Sequence, residues 1–301
     1  MRSIGMIFSR GVGYMTLAVF LFSTMVALVK TVKYIPSVEV VFFRSFISLT
    51  ASWAMLRAQG VSPWGKRKGY LLGRGLSGAV ALTLYYEALR HIPLASATIL
   101  QFTAPIFTSL IGIYFVREKM YAMQWVFFGM AFAGVFLVEG FDPRVEPLYA
   151  GLGLVAVLMS ALAHNFIRKL NTTEHPLVII FYFPLITTPL SGLYCLFYWV
   201  PPQGWDWLIL IGIGVLTQMA QFFMTKAIQI EELSRISIIR YSGIFYALGY
   251  GYLLFGETFD FLSYLGMAVA LGAILLNLWY KNRMHRKERA AEAAAASAVH
   301  G

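Results

Sequence analysis

One long stretch of this chain occurs twice. Shifted by 139 positions, Tyr86–Val138 falls on Thr225–Asn277 without a gap. Ala88/Ala227, Leu94/Leu233, Ile99/Ile238, Gly112/Gly251, Glu118/Glu257, Ala131/Ala270 and Leu137/Leu276 are identical, and Phe102/Tyr241, Thr103/Ser242 and Trp125/Tyr264 are close in kind. Gly11–Ser48 repeats on Gly151–Thr188 at an offset of 140, matching Gly11/Gly151, Pro36/Pro176 and Phe43/Phe183. A self-similarity this long makes each half one structural unit.

The solvent for these units is a bilayer. Hydrophobic residues make up 59% of the chain and charged residues 13%, with mean hydropathy +0.69. A soluble domain carries about a quarter charged residues. A hydrocarbon core of about 30 Å takes about 20 apolar residues as a helix. That ruler predicts ten spans, at 11–30, 37–57, 70–90, 93–115, 121–139, 150–169, 176–199, 206–229, 233–255 and 259–280. Barrel strands would instead alternate over about ten residues. The first run follows Arg2 and Arg10 but exceeds a signal peptide's apolar region and lacks a small-x-small cleavage site, so it is expected to be retained. The one cysteine, Cys195, excludes an intrachain disulfide and a cysteine-based zinc site.

Five spans per half is an odd number, so the second half must enter from the opposite face and the repeat must be inverted. Charge gives an independent reading. With the N-terminus inside, seventeen of the 24 Lys and Arg residues fall in inner segments, Arg74 among them, and four (Lys30, Lys33, Arg90, Arg144) in outer ones. That bias puts both termini in the cytoplasm. The expected fold is an all-α membrane protein of ten transmembrane helices. Its parts are a cytoplasmic N-terminus (1–10), two five-helix repeats (11–139 and 150–280) joined by an outer linker (140–149), and a basic, Ala-rich cytoplasmic tail (281–301). The net charge of +10 is thereby a matter of topology, and no nucleic-acid partner is expected.

The pattern LASATILQFTAPIFTSLIGIYFVREK and its partner LSRISIIRYSGIFYALGYGYLLFGE, within two five-span repeats, resemble the drug/metabolite transporter superfamily of the ten-helix EamA type. The resemblance covers residues 11–280. Glu118 and Glu257 match its repeat signature, and Arg44 and Pro105 fit its habits, whereas Arg117 stands where a glycine often precedes the glutamate. It implies secondary transport of a small metabolite through a central cavity.

Ionisable groups inside apolar spans are the default functional candidates. Arg240 lies about seven residues into the ninth span, roughly 10 Å deep at 1.5 Å per residue. Its repeat mate is Gln101, and inverted mates converge near the midplane, where such transporters bind substrate. Arg240 either binds an anion or is locked to backbone carbonyls; Tyr241 beside it reads more as packing than as ligand. Arg44, Tyr86, His164 and Asn165 are further candidate substrate contacts, with helix-to-helix bonding as the competing reading. Glu87 and Lys226 are gating or coupling candidates. They are repeat mates, but inversion should separate them, leaving Lys226 to reach the interface and Glu87 to Arg90 or Lys30. Glu118 and Glu257 are read as capping turns, and Pro105 is expected to kink span four.

The reading is a multi-pass inner-membrane transporter of a small molecule, with a proton or counter-substrate as the coupling partner and no cofactor or metal. Its rivals are a lipid flippase of the same fold and an integral membrane enzyme. No HExxH, GxSxG, GxxxxGK[ST] or DxxD motif supports the enzyme.

Overall fold

Apolar runs in lipid must satisfy their own backbone polar groups, which favours helices. The computed structural model describes residues 10–115, 120–141, 144–230 and 239–299, and among them it contains helices and no strand. Glu118 and the first residues of the ninth predicted span lie outside the described residues. The helices are α1 (Arg10–Thr31), α2 (Ser37–Ala58), α3 (Lys68–His91), α4 (Leu94–Phe102), α5 (Ala104–Phe115), α6 (Ala122–Phe141), α7 (Pro147–Leu170), α8 (Pro176–Phe197), α9 (Asp206–Ile230), α10 (Gly243–Phe255) and α11 (Phe261–Val299).

Seven stretches among the described residues are long and apolar enough to cross a membrane, counting Leu94–Phe115 (α4 with α5) as one. The protein is a multi-pass membrane protein. Ala122–Val138 and Gly243–Phe255 are apolar but shorter. Helix α3 has the length, yet glycines and the polar residues Arg74, Ser77, Tyr85, Tyr86 and Glu87 dilute it. The tenth predicted span continues as helix through the tail to Val299.

Packing respects the repeat. Helix α3 runs along α7 and α1 along α9; α2 pairs with α8 and α6 with α11; α2 also meets α9, and α3 meets α8. Exchanging the two halves turns each pairing into itself or into another of the same set. The α6–α11 crossing is close because glycine permits it. A Cβ on Gly134 would come 2.5 Å from the Ala270 amide nitrogen, and one on Gly266 would come 2.6 Å from the Gly134 carbonyl. Buried Gln124 donates to Asn277 across the same pair at 3.1 Å.

Both halves carry a broken helix at equivalent positions. The chain leaves α4 at Thr103, whose hydroxyl and amide both donate to the Leu100 carbonyl, at 2.6 and 3.0 Å. Ser242, its repeat mate, does the same to Ile239, at 2.6 and 3.0 Å. Beyond each break the chain resumes with a short-range bond, Ile106 N to Thr103 O at 2.9 Å and Phe245 N to Ser242 O at 3.0 Å. The kink expected at Pro105 therefore falls two residues earlier. Proline has no N–H to return to the carbonyl four residues back, and the Thr103 hydroxyl sets where the chain turns. Span nine breaks with no proline, through Ser242 and Gly243.

One end of the bundle is sealed. Val29, Val32, Ile35, Ile92 and Leu94 are buried in one cluster there. Within it Lys30 pairs with Glu257 and also donates to the Ile92 carbonyl at 2.6 Å, while the second Glu257 oxygen accepts the Leu94 amide at 2.8 Å. Glu257 thus caps the free amide end of α4, a position where a carboxylate is favoured. Lys30, which the sequence offered to Glu87, is committed to a partner 227 residues away.

Candidate functional site

The broken helices open onto a cavity. Helix α1 lines it with Met15, Ala18, Val19, Phe22, Ser23 and Val26, a stripe at helical spacing. Thr98, Gln101 and Phe102 come from α4, Tyr85 from α3, and Gly243 and Ala247 from α10; Arg240 completes the wall. The repeat mates Gln101 and Arg240 therefore face one space, and Arg240 is exposed to it.

Gln101 also borders a second cavity. Its walls carry Arg44 from α2, Arg74 from α3, Ser160 and His164 from α7, Phe183 from α8 and Gln221 from α9. Arg44 donates to the Tyr86 hydroxyl at 2.8 Å and lies 5.5 Å from that ring's centroid. Arg74 lies 5.1 Å from the Phe183 ring. The Nε atoms of both arginines are buried and have no hydrogen-bond partner among the described residues. His164 keeps Nδ1 on the Ser160 carbonyl at 2.7 Å and stands within the fields of Arg240, Arg74 and Arg168.

Gln221 in turn borders a third cavity, with Gln59, His175, Gln218 and Lys226 on its walls. Gln101 is thus a wall residue of both the first and second cavities, and Gln221 of both the second and third. Among the described residues, no Asp or Glu lines them.

Of the remaining sequence candidates, Lys226 lines the third cavity, whereas Tyr86, Tyr241, Asn165 and Glu87 are not among the lining residues of any of the three. Tyr86 is wholly buried; its hydroxyl donates to Met25 Sδ at 3.2 Å and holds Arg44, while Tyr85 faces the first cavity. Tyr241 is in the core beside Ile106, Phe128 and Ile274, edge to face with Phe102. Asn165 is buried and ties α7 to α5 by donating to the Thr108 carbonyl at 3.0 Å. Glu87 pairs with Arg90 at 3.0 Å, and Arg90 also donates to the Lys33 carbonyl. Lys226 lies 5.8 Å from the Phe222 ring at the third cavity, so Glu87 and Lys226 each have other neighbours.

Arg74 is the residue that sequence reasoning passed over, because it was counted with the cytoplasmic loop charges. A signal for it exists. Arg74, Gly78, Ala81, Leu82 and Tyr85 form one stripe of α3 at spacings of three and four, and all five line the first two cavities.

Comparison with known proteins adds the following. The sequence profile described as the EamA-like transporter family matches residues 9–140 and again 148–279. The pseudopaline exporter of Pseudomonas aeruginosa is 34% identical over 259 residues, covering 85% of this chain and 91% of that protein. The S-adenosylmethionine uptake transporter of Rickettsia felis is 24% identical over 83% of this chain and 86% of its own. The riboflavin transporter of Vibrio cholerae is 24% identical over 85% and 87%. A solved crystal structure superposes with a TM-score of 0.63 over 92% of this chain and 98% of its own, at 18% identity, a likeness of fold alone.

Proposed function

Because this chain belongs to the EamA-like transporter family, we propose that it is a secondary transporter moving a small, carboxylate- or phosphate-bearing metabolite across the inner membrane. In this reading the two halves are inverted five-span repeats with cytoplasmic termini, and access alternates between the faces. One observation carries it: Gln101 and Arg240, equivalent residues of the two halves, line one cavity beside equivalent helix breaks. Binding at the interface of two repeats, on discontinuous helices, is the arrangement that lets one half rock against the other around a fixed site.

The sealed end, where Lys30 meets Glu257, is then the closed outer side, and the three cavities form the inward-facing route. Opening outward requires Lys30 and Glu257 to part and the Ile92–Leu94 corner to lift. Incoming water compensates the separated charges. The chain carries no nucleotide-binding loop, so a proton or a counter-substrate supplies the drive.

The test has two stages. Purified protein is first screened by thermal shift against anionic, zwitterionic and cationic metabolites, since a ligand of the folded state raises its stability by mass action. The stabilising compound is then loaded into proteoliposomes for flux, with Arg240→Gln in parallel. Saturable flux that falls at least about tenfold in the variant, a loss of roughly 1.4 kcal/mol, supports the reading. Stabilisation by cationic compounds alone, with Arg240→Gln unaffected, would refute its anionic part; saturable binding without flux would refute transport.

A further inference from the structure

Among the described residues, the first two cavities together hold three guanidinium groups, Arg44, Arg74 and Arg240, and no carboxylate lines either wall. Unpaired cations in an apolar span are costly unless water or a ligand meets them. Arg44 spends one Nη on Tyr86, yet its Nε and that of Arg74 remain buried and without partners among the described residues. Each of these two guanidinium groups lies against an aromatic ring, Tyr86 or Phe183. The rings hold both guanidinium groups on the wall of the second cavity, and planar donors of this kind match carboxylate or phosphate oxygens in pairs. Arg240 lies on the wall of the adjoining cavity, and Gln101 is common to both.

From this arrangement we infer that the site takes a soluble compound carrying at least two anionic groups. One group is held between Arg44 and Arg74, another is held by Arg240, and Gln101 contacts the segment between them. The inference rests on the transport reading and deepens it: a single carboxylate satisfies one compartment and leaves the cations of the other without a counter-charge. Two groups on one molecule bind with an advantage set by the length of the linker between them.

A series of straight-chain α,ω-dicarboxylates from succinate to sebacate tests this, each beside the monocarboxylate of equal length. Thermal shift of the purified full chain in detergent gives the apparent affinities. One chain length should bind about tenfold or more tighter than its monocarboxylate, with shorter and longer homologues weaker. Arg74→Gln and Arg240→Gln should each bring that advantage to within about twofold. Every shift is measured from the variant's own unliganded transition. Arg74→Lys guards against a folding defect, because it keeps the charge but loses the forked donor, and should retain a reduced advantage.

Monocarboxylates that bind as tightly as dicarboxylates at every length would overturn the inference, as would an advantage unchanged in Arg74→Gln. Cardiolipin in mixed micelles offers two phosphates on a lipid. Stabilisation by cardiolipin with none by any soluble dianion would overturn it as well. Tight, length-dependent dicarboxylate binding without flux in proteoliposomes would keep the site and remove the transport reading. Flux of neutral compounds with no dicarboxylate binding would do the reverse.

Discussion

The rings of Phe102 and Tyr241 meet edge to face, 5.0 Å between centroids at 84°. The two residues are 139 positions apart, the offset that superimposes one half of the sequence on the other. Mates that touch each other lie where the halves meet, and here each ring stands one residue before a helix break. The contact joins the two breaks directly. We expect Phe102→Ala and Tyr241→Ala each to lower thermal stability. A double-mutant cycle should return a coupling of about 0.5–1.5 kcal/mol beyond the lost burial. Additive losses would mean that the breaks are held independently.

The Lys30–Glu257 pair is buried on both sides. Removing one partner of such a pair leaves a charge without its counter-charge and costs about 3–5 kcal/mol, whereas replacing both with apolar groups is often close to neutral. Lys30→Met alone should therefore destabilise more than Lys30→Met with Glu257→Gln, which retains an acceptor for the Leu94 amide. Thermal unfolding of the purified variants gives the order. A double variant weaker than both single ones would show that the ion pair itself is the main tie.

Gly134 and Gly266 set how closely α6 and α11 approach. Substitution by valine at either forces the backbones apart, and overpacking of this kind costs about 1–3 kcal/mol. Gly129, on the same helix, has open space where a Cβ would stand. Gly129→Ala should be neutral or stabilising by up to about 1 kcal/mol. Equal losses at all three positions would mean that the close approach of the two helices is not what sets the cost.

Trp64 and Trp205 are 67% and 79% exposed, in the α2–α3 and α8–α9 connections, which the charge bias assigns to opposite sides. Cys195 is buried. In a Cys195→Ser background, a membrane-impermeant maleimide on intact cells should label Trp205→Cys and leave Trp64→Cys unlabelled until the cells are opened. The reverse pattern would invert the proposed orientation.

Much of the architecture was legible because it depends on composition along the chain. Apolar run length marks where a helix can cross, and the 139-residue offset by itself places Thr103 opposite Ser242. Tyr86 and Asn165 show the limit for the site. Both were marked as candidate contacts for their polarity, yet one holds Arg44 in place and the other ties α7 to α5. Polarity within a span says that a partner exists; it does not say whether that partner is a ligand or a neighbouring helix.

What the sequence determined by itself, then, was membrane class, helix content, the two-unit repeat and the pairing of Gln101 with Arg240 as equivalents. Those follow from hydropathy and periodicity, which are local or translational properties of a chain. Only the tertiary structure decided which way each helix faces. Rotation about a helix axis is set by packing against neighbours, α7 and α8 for α3, and that rotation turns Arg74 from a loop-side charge into a wall of the cavity. It also chose Glu257 rather than Glu87 for Lys30, because a buried ammonium is stabilised by the carboxylate that folding brings within reach, and sequence separation carries no weight in that choice.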